Sequence, residues 1–396
     1  MDHNSNFHNI TLNITNSSTT DQPDAYMSHL LHIKDQIRFI DTVLLMPVMV
    51  TCGVLGNAVS IYVLRHRTMR TSINNYLTAI AIADLLYLIF AFSLTLHHMD
   101  ADLEYDVYYT AYQYLIGVPF TNLWSNIGVW LIVAFTVERY IAVCQPLRER
   151  RSSSATKYVV LTIVLVNALV AIPSFFEYQL DSSGEFGISE TKLKHNKVYS
   201  AGYIWLCQIL FTIVPMATLF IMNCLIWKEL RNANMVRRQL SATTSMQPLK
   251  RSPSLENSKK TTVMLCVIVI VFMICHLPQA CLHLYYIIMT SLDLADQYTV
   301  MKIIIVSNMF NLLVMINASV NFIIYSVLSV KFRFVFRKIL NELKEHVLDC
   351  LIPCRIRMNY HGHDSDETRS NPIEIPLRRL SERNETSHKN VIRTLQ

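Results

Sequence analysis

Seven long apolar runs constrain this chain more than any other feature of its sequence. Each holds about 20 predominantly apolar residues, the length that an α-helix needs to cross a hydrocarbon core of roughly 30 Å. With 52% hydrophobic and only 16% charged residues in 396, the chain is too apolar for a soluble domain. We therefore predict an all-α fold, a bundle of seven transmembrane helices, near residues 40–64, 74–96, 112–142, 157–176, 201–228, 261–289 and 300–326.

The loops between these spans predict the orientation. Lys and Arg accumulate in cytoplasmic loops, and here they are frequent after the first, third and fifth spans, whereas the loop 97–111 has none. We expect a multi-pass protein of the plasma membrane, with its N-terminus extracellular and its C-terminus cytoplasmic. Because the net charge of +6 belongs to the inner loops and tail, it predicts contact with membrane lipids and not with nucleic acid.

Four regions are predicted along the chain. Residues 1–38 form an extracellular tail without a cleavable signal peptide, and residues 39–327 form the seven-helix domain. Residues 328–346 form an amphipathic helix on the inner leaflet, and residues 347–396 form a mostly disordered cytoplasmic tail. Glycosylation is predicted at Asn9, Asn13 and Asn16, each of which opens an Asn-x-Ser/Thr triplet. Cys350 and Cys354 are candidates for lipidation beside the amphipathic helix, and two inert thiols are the alternative.

Several polar side chains fall deep inside the predicted spans. An ionisable group at the bilayer centre costs at least about 2.5–3.5 kcal/mol, so Asp84 should face the bundle interior and have a partner. Asn317 and Asn321 lie one turn apart on one helical face, and we expect both to point at Asp84. Hydrogen bonds with a purely structural role are the alternative, and they are the favoured one for Asn57 and Asn167.

Six motifs in six different spans resemble the rhodopsin-like G-protein-coupled receptors in content and order. They are "GVLGNAVSIYVL", "LTAIAIADLL", "VERYIAVCQPL", Pro215, "FMICHLP" and "NFIIY", and the resemblance covers residues 40–345. It implies a receptor without catalytic activity or cofactor, which binds an extracellular agonist and activates a heterotrimeric G protein, with arrestin and receptor kinases as further partners. Within that family the chain resembles vertebrate orphan receptors linked to aromatic amino acids and small peptides, and it also resembles invertebrate amidated-neuropeptide receptors of the myosuppressin and sex-peptide type. A neuropeptide is the expected ligand, and an aromatic amino acid or another small polar ligand is the alternative.

The resemblance also assigns roles to residues. The acidic-Arg-Tyr motif and positions in the last two spans would form the switch that couples to the G protein: Glu138, Arg139, Tyr140, His276, Pro278, Asn321 and Tyr325. Asn57, Asp84, Asn317 and Asn321 would form the polar core, where the family binds sodium. Gly128 replaces the serine that is usual there, which argues against a bound ion.

Two departures from the family pattern carry predictions of their own. Phe322 replaces the usual proline of the seventh span, so we expect a straighter helix. Tyr114 stands where the family has the third-span cysteine, and the loop 177–200 has no cysteine. We therefore predict no disulfide, and we expect helix packing to replace a link usually worth about 2–4 kcal/mol.

The ligand site is predicted among polar residues near the outer ends of the spans. Thr121 replaces the carboxylate of amine receptors, and Lys302 lies too far out to bind retinal. Polar side chains around an aromatic cavity suit a peptide end or an amino-acid-sized ligand, and the candidates are Gln113, Thr121, Asn122, Ser125, Gln208, Gln279, His283, Tyr286, Asn308 and Asn311. Gln279, His283 and Tyr286 share one face. We expect no metal site in the His-rich stretches 97–102 and 361–366, which lack preorganised geometry.

A transporter or channel would also explain buried polar residues. Transporters commonly show internal repeats and interrupted helices in both halves, and the sequence has neither. It also lacks the nucleophile and zinc motifs of intramembrane enzymes.

Overall fold

The computed structural model describes residues 25–99, 103, 106–145, 153–181, 187–243, 253–292 and 294–360. Within them, seven helices are long and apolar enough to cross a membrane, which confirms the predicted all-α seven-helix fold of a multi-pass membrane protein. They are α1 (Ala25–Leu64), α2 (Ser72–Ser93), α3 (Val107–Cys144), α4 (Ser153–Ala171), α5 (Lys197–Gln208 and Val214–Thr243, joined by Ile209–Ile213), α6 (Pro253–Ser291) and α7 (Gln297–Leu328). A further helix, α8 (Val330–Tyr360), follows. We call the end of the bundle at which α1 begins the outer end, and the opposite end the inner end.

The first helix begins at Ala25, well before the predicted start near residue 40. Its added turns are amphipathic: Met27 and Leu30 are buried against Met301 and Ile305 at the outer end of α7. Segment 25–38 mixes polar and apolar residues, so its mean hydropathy does not identify it as part of a membrane span. It is helical because one apolar face packs against α7. Residues 1–24, and with them the three predicted glycosylation sites, lie outside the described residues.

Three of the described helices contain a wide π-helical turn, and a proline follows each one. The turns are Phe39–Leu45 in α1, Gln113–Gly117 in α3 and Ile209–Ile213 in α5, and the prolines are Pro47, Pro119 and Pro215. A proline ring clashes with the carbonyl one turn earlier and supplies no N–H. A wider turn relieves both problems, so the helices continue through these positions.

The main core lies between α2, α3, α5, α6 and α7. Its largest fully buried side chains include Tyr76, Phe135, Phe272 and Tyr325. The first helix reaches α7 through two glycines, Gly53 and Gly56. A Cβ at Gly56 would lie 2.9 Å from the Cβ of Phe322, so this close contact requires a residue without a side chain.

The seventh helix is uninterrupted from Gln297 to Leu328. In place of the family's proline, the Phe322 ring packs edge-on against Phe332 and Phe336 at the start of α8, with ring centres 6.0 and 5.8 Å apart. Phe332 and Val335 are buried in the core. The chain divides into two compact units, residues 1–339 and 340–396. The helix continues past residue 346, where we predicted its end, to Tyr360. It includes positions 350 and 354, whose side chains the structure does not describe.

A small hairpin lies between α4 and α5. Strands β1 (Tyr178–Leu180) and β2 (Ile188–Glu190) are antiparallel, and Tyr178 pairs with Glu190. Gly187 immediately precedes the second strand. Its φ of 74° is a left-handed conformation that favours glycine. A one-turn helix, Lys192–His195, joins the hairpin to α5.

Candidate functional site

A cavity of about 280 Å³ opens among the outer halves of α2, α3, α5, α6 and α7. Its walls include seven of the predicted ligand residues: Thr121, Asn122, Ser125, Gln279, His283, Asn308 and Asn311. Gln279 makes two hydrogen-bonding contacts in this cavity. Its Nε2 lies 2.8 Å from Nε2 of His283 and donates to the Ser307 hydroxyl at 3.2 Å. The described lining contains no Asp, Glu, Lys or Arg. The described walls therefore combine polar and apolar side chains without a carboxylate, ammonium or guanidinium group.

Three of the predicted residues do not line this cavity. Tyr286 is buried further out, in an apolar cluster with Val300 and Ile303, because helical periodicity predicts a shared face but not a shared depth. Gln208 is buried outside the lining. The Gln113 amide donates to the carbonyl of Leu94 at 3.2 Å and lies 3.0 Å from His97.

Other lining residues were missed by the sequence analysis. Tyr87, Phe211, Met216 and Ser307 all contribute to the walls. Ser307 lies one turn before Asn311 on α7, so helical spacing could have identified it. The aromatic and apolar residues carry no such signal, because on a membrane helix they look the same as core residues.

His276 forms part of the cavity floor. It also lines a second, smaller cavity of about 20 Å³, together with Asp84, Gly128 and Asn317. Its ring stacks on Phe272 with centres 4.1 Å apart, and its Nε2 lies 3.4 Å from Nδ2 of Asn317. The smaller cavity has room for about one water molecule. His276 thus lies between the outer cavity and the polar core, and Tyr87, Ser125, Val129 and Val314 also line both cavities.

The polar core holds α1, α2 and α7 together. The Asn321 amide donates to Oδ2 of Asp84 at 2.5 Å, and the Asn57 amide donates to the carbonyl of Ala318 at 2.8 Å. The prediction for Asn321 matches this geometry. Asn317 differs: its amide lies against His276, because positions four apart on a helix differ by about 40° in direction. Asn167 donates within its own helix, to Ile163.

The inner end carries the acidic-Arg pair. Arg139 lies 3.8 Å from the Glu138 carboxylate, with side chains only 13% and 15% exposed. Arg139 also lines a narrow space with Asn223 of α5 and Cys266 of α6, so it lies where those two helices meet α3. Tyr140 is half-buried beside it.

Two further predicted switch residues lie in α6 and α7. Tyr325 is buried, and its ring centre lies 5.9 Å from that of Phe332. Pro278 lies inside α6, two residues after His276. A proline there leaves the helix without one backbone hydrogen bond, at the level of the cavity floor.

Residues 56–325 match the family described as "7 transmembrane receptor (rhodopsin family)". The match covers more than half of the chain, and the chain belongs to that family. The resemblance found in the six motifs is thereby confirmed.

Its relatives include three receptors with peptide or hormone names. The chain is 30% identical over 302 residues to the FMRFamide receptor of Drosophila melanogaster, covering 72% of this chain but only 51% of that receptor. It is 26% identical over 353 residues to sex peptide receptor-related protein 2 of Caenorhabditis elegans, covering 81% and 75%. It is 26% identical over 331 residues to the thyrotropin-releasing hormone receptor of Bos taurus, covering 76% and 78%. The chain thus spans about half the length of the first relative and three quarters of the others.

Proposed function

We propose that this chain is a plasma-membrane receptor, extracellular at its N-terminus, which binds a peptide in the outer cavity and activates a heterotrimeric G protein at its inner end. The observation that carries the proposal is the position of His276. This side chain lines both the ligand cavity and the polar core, so a ligand that displaces it changes the contacts of Asn317 as well. A side chain that lines both the ligand cavity and the polar core couples them, because a change in its position alters the contacts on both sides.

The cavity favours a particular kind of peptide end. A carboxylate or ammonium group buried without an opposite charge is strongly unfavourable, and the described lining offers no charged side chain of either sign. A peptide that inserts a neutral terminus, such as a C-terminal amide, avoids this penalty and finds donors and acceptors on Gln279, Asn308 and Asn311. The name of the FMRFamide receptor agrees with such a ligand. The cavity volume of about 280 Å³ is at the low end for a drug-sized ligand, so only one end of a peptide would be enclosed.

At the inner end, the Glu138–Arg139 pair would hold the resting arrangement. Outward movement of α6 would free Arg139 to contact the G protein. Because binding at the two ends is thermodynamically coupled, bound G protein should raise agonist affinity by the same factor by which agonist raises G-protein affinity. Arrestin and receptor kinases would bind this inner face and tail. Glycans on the N-terminal tail and lipid on Cys350 and Cys354 remain predictions of the sequence.

The function is tested by a paired ligand screen in cells that express the receptor. Each candidate peptide is applied as the C-terminal amide and as the free acid, with aromatic amino acids in parallel, and calcium and cyclic nucleotide are recorded. We expect responses to amides, reduced for the matching acids and abolished by Arg139→Ala at equal surface expression. Solute or ion flux that persists in cells without G proteins would instead support the transporter alternative.

The assignment of the cavity is tested by a pair of neighbouring residues on α7. Asn308 lines the cavity, whereas Met309 is 51% exposed on the helix exterior. Removing a buried hydrogen-bond partner typically costs about 1 kcal/mol or more, so Asn308→Ala should lower agonist potency at least about fivefold. Met309→Ala should leave potency unchanged. Equal effects of the two substitutions would contradict the proposed site.

A further inference from the structure

A buried lysine lies at the outer end of the bundle, in the loop between α4 and α5. Lys194 is only 8% exposed. Its Nζ lies 3.8 Å from Glu177, 3.7 Å from Glu190 and 3.8 Å from the centre of the Tyr178 ring, and it also contacts the Tyr178 hydroxyl. The Tyr178 ring in turn lies 4.7 Å from that of Tyr114. We call these five residues the Lys194 cluster.

The cluster joins the outer ends of three helices. Glu177 follows the short 3-10 helix Ile172–Phe176 that continues α4, Lys194 lies in the one-turn helix before α5, and Tyr114 belongs to the π-helical turn of α3. Tyr178 and Glu190 are paired across the hairpin. The two ends of the hairpin are also joined by the Thr191 hydroxyl, which donates to the carbonyl of Phe176 at 2.7 Å.

The charges explain why this arrangement is specific. Glu177 is only 2% exposed, and a buried carboxylate needs a cation beside it. Lys194 supplies that cation to two carboxylates and places it over the face of Tyr178, where the negative face of the ring attracts it. The neighbouring lysines Lys192 and Lys197 are exposed, so neither takes the buried position of Lys194. Buried ion pairs add little to overall stability but can fix one arrangement among several.

We propose that Lys194 is a positioning residue, which fixes the hairpin on the outer end of α3 and so holds the mouth of the ligand cavity. Tyr114 is the position where the family resemblance places a disulfide cysteine. The cluster therefore takes the place of that covalent link with charges and aromatic rings. Thr121, which lines the cavity, lies two helical turns inward of Tyr114 on the same helix, so the hairpin is anchored close above the cavity. The effect on the ligand rests on the proposed function, whereas the effect on the hairpin does not.

The first experiment needs no ligand. Amide hydrogen exchange is measured on the purified full-length receptor, comparing Lys194→Met with Lys192→Met, which removes an exposed lysine from the same short helix. Loss of one partner from a buried charge pair should speed exchange of the hairpin amides by about tenfold or more, and Lys192→Met should have no effect. Adding Glu177→Gln to Lys194→Met removes the buried charge left behind and should restore part of the protection. Unchanged exchange in Lys194→Met would overturn the proposal.

The second experiment measures agonist dissociation from the same variants at matched surface expression. We expect Lys194→Met to dissociate about tenfold faster, with the same maximal response at saturating agonist, because the inner end is untouched. Lys194→Arg, which retains the cation, should restore slow dissociation. Faster hairpin exchange with unchanged dissociation would overturn the role at the cavity mouth. Failure to find any agonist would count against the proposed function, while the exchange result still decides the hairpin.

Discussion

Replacement of Gly53 by alanine tests the close contact between α1 and α7. A Cβ at this position would lie 2.5 Å from a methyl group of Leu88, 2.6 Å from Oγ of Ser319 and 3.1 Å from Cα of Ser319. Leu88 can rotate away, but the Ser319 Cα belongs to the backbone. The methyl group therefore has to displace α7 itself, the helix that carries Asn317 and Asn321 of the polar core.

The magnitude follows from opposing contributions. Overpacking of a close contact costs about 1–3 kcal/mol, and loss of the Ser319 hydrogen bond to Met49, at 3.0 Å, adds about 1 kcal/mol. Alanine is favoured over glycine inside a helix by about 1 kcal/mol. We expect a net destabilisation of about 1–3 kcal/mol, which lowers the melting temperature by several degrees.

The assay is thermal unfolding of the purified receptor in detergent, followed with a thiol-reactive fluorophore that reports exposure of the buried cysteines Cys207, Cys266 and Cys275. Gly202→Ala is the matched control, since a Cβ at Gly202 would meet no atom within 4 Å. That control should melt at the wild-type temperature or slightly above it. A Gly53→Ala receptor that melts as high as wild type would refute the reasoning.

Three further predictions concern the switch. Glu138→Gln weakens the pair with Arg139 by about 1 kcal/mol and should raise basal G-protein activation about fivefold, measured as nucleotide exchange at equal receptor density; unchanged basal exchange would count against a resting lock. Asn321→Leu removes the 2.5 Å hydrogen bond to Asp84, worth about 1 kcal/mol, and should lower the melting temperature; a double-mutant cycle with Asp84→Ala that shows no coupling would contradict this. Phe322→Pro should alter both basal and agonist-driven signalling; if neither changes, activation does not depend on the unkinked form of α7.

The last of these variants has a local rationale in α7. A proline at position 322 would free the carbonyl of Ala318, one turn earlier. That carbonyl already accepts a hydrogen bond from the Asn57 amide at 2.8 Å. The proline would also remove the Phe322 ring from its contacts with Phe332 and Phe336. The substitution therefore tests whether packing at the start of α8 holds the resting form of α7.

The spans were predictable because lipid admits few alternatives. A backbone in hydrocarbon must satisfy its own polar groups, so apolar length alone identified all seven helices. The pairing of Asn321 with Asp84 followed from the cost of burying a carboxylate. Depth was harder to predict, and Tyr286 illustrates the problem: it shares a face with Gln279 but is covered by Val300 and Ile303.

Features held by contacts between distant segments escaped the sequence analysis. The outer turns of α1 are helical because Met27 and Leu30 find partners on α7, which no local pattern specifies. Lys194 was one of several charges in a loop, and nothing in its neighbours distinguishes it from the exposed Lys192. The expectation that helix packing alone would hold the outer face therefore omitted the polar contacts of the hairpin.

The seven cysteines whose side chains the structure describes are all free thiols, and this has a practical consequence. A receptor whose outer loop is closed by a disulfide must be made where oxidants and isomerases act. This chain should reach its folded form in a reducing cell-free translation mixture supplied with lipid nanodiscs, without any oxidative refolding step. The same thiols differ in position, since Cys52, Cys224 and Cys281 lie on the outer surface of the helix bundle while Cys207, Cys266 and Cys275 are buried.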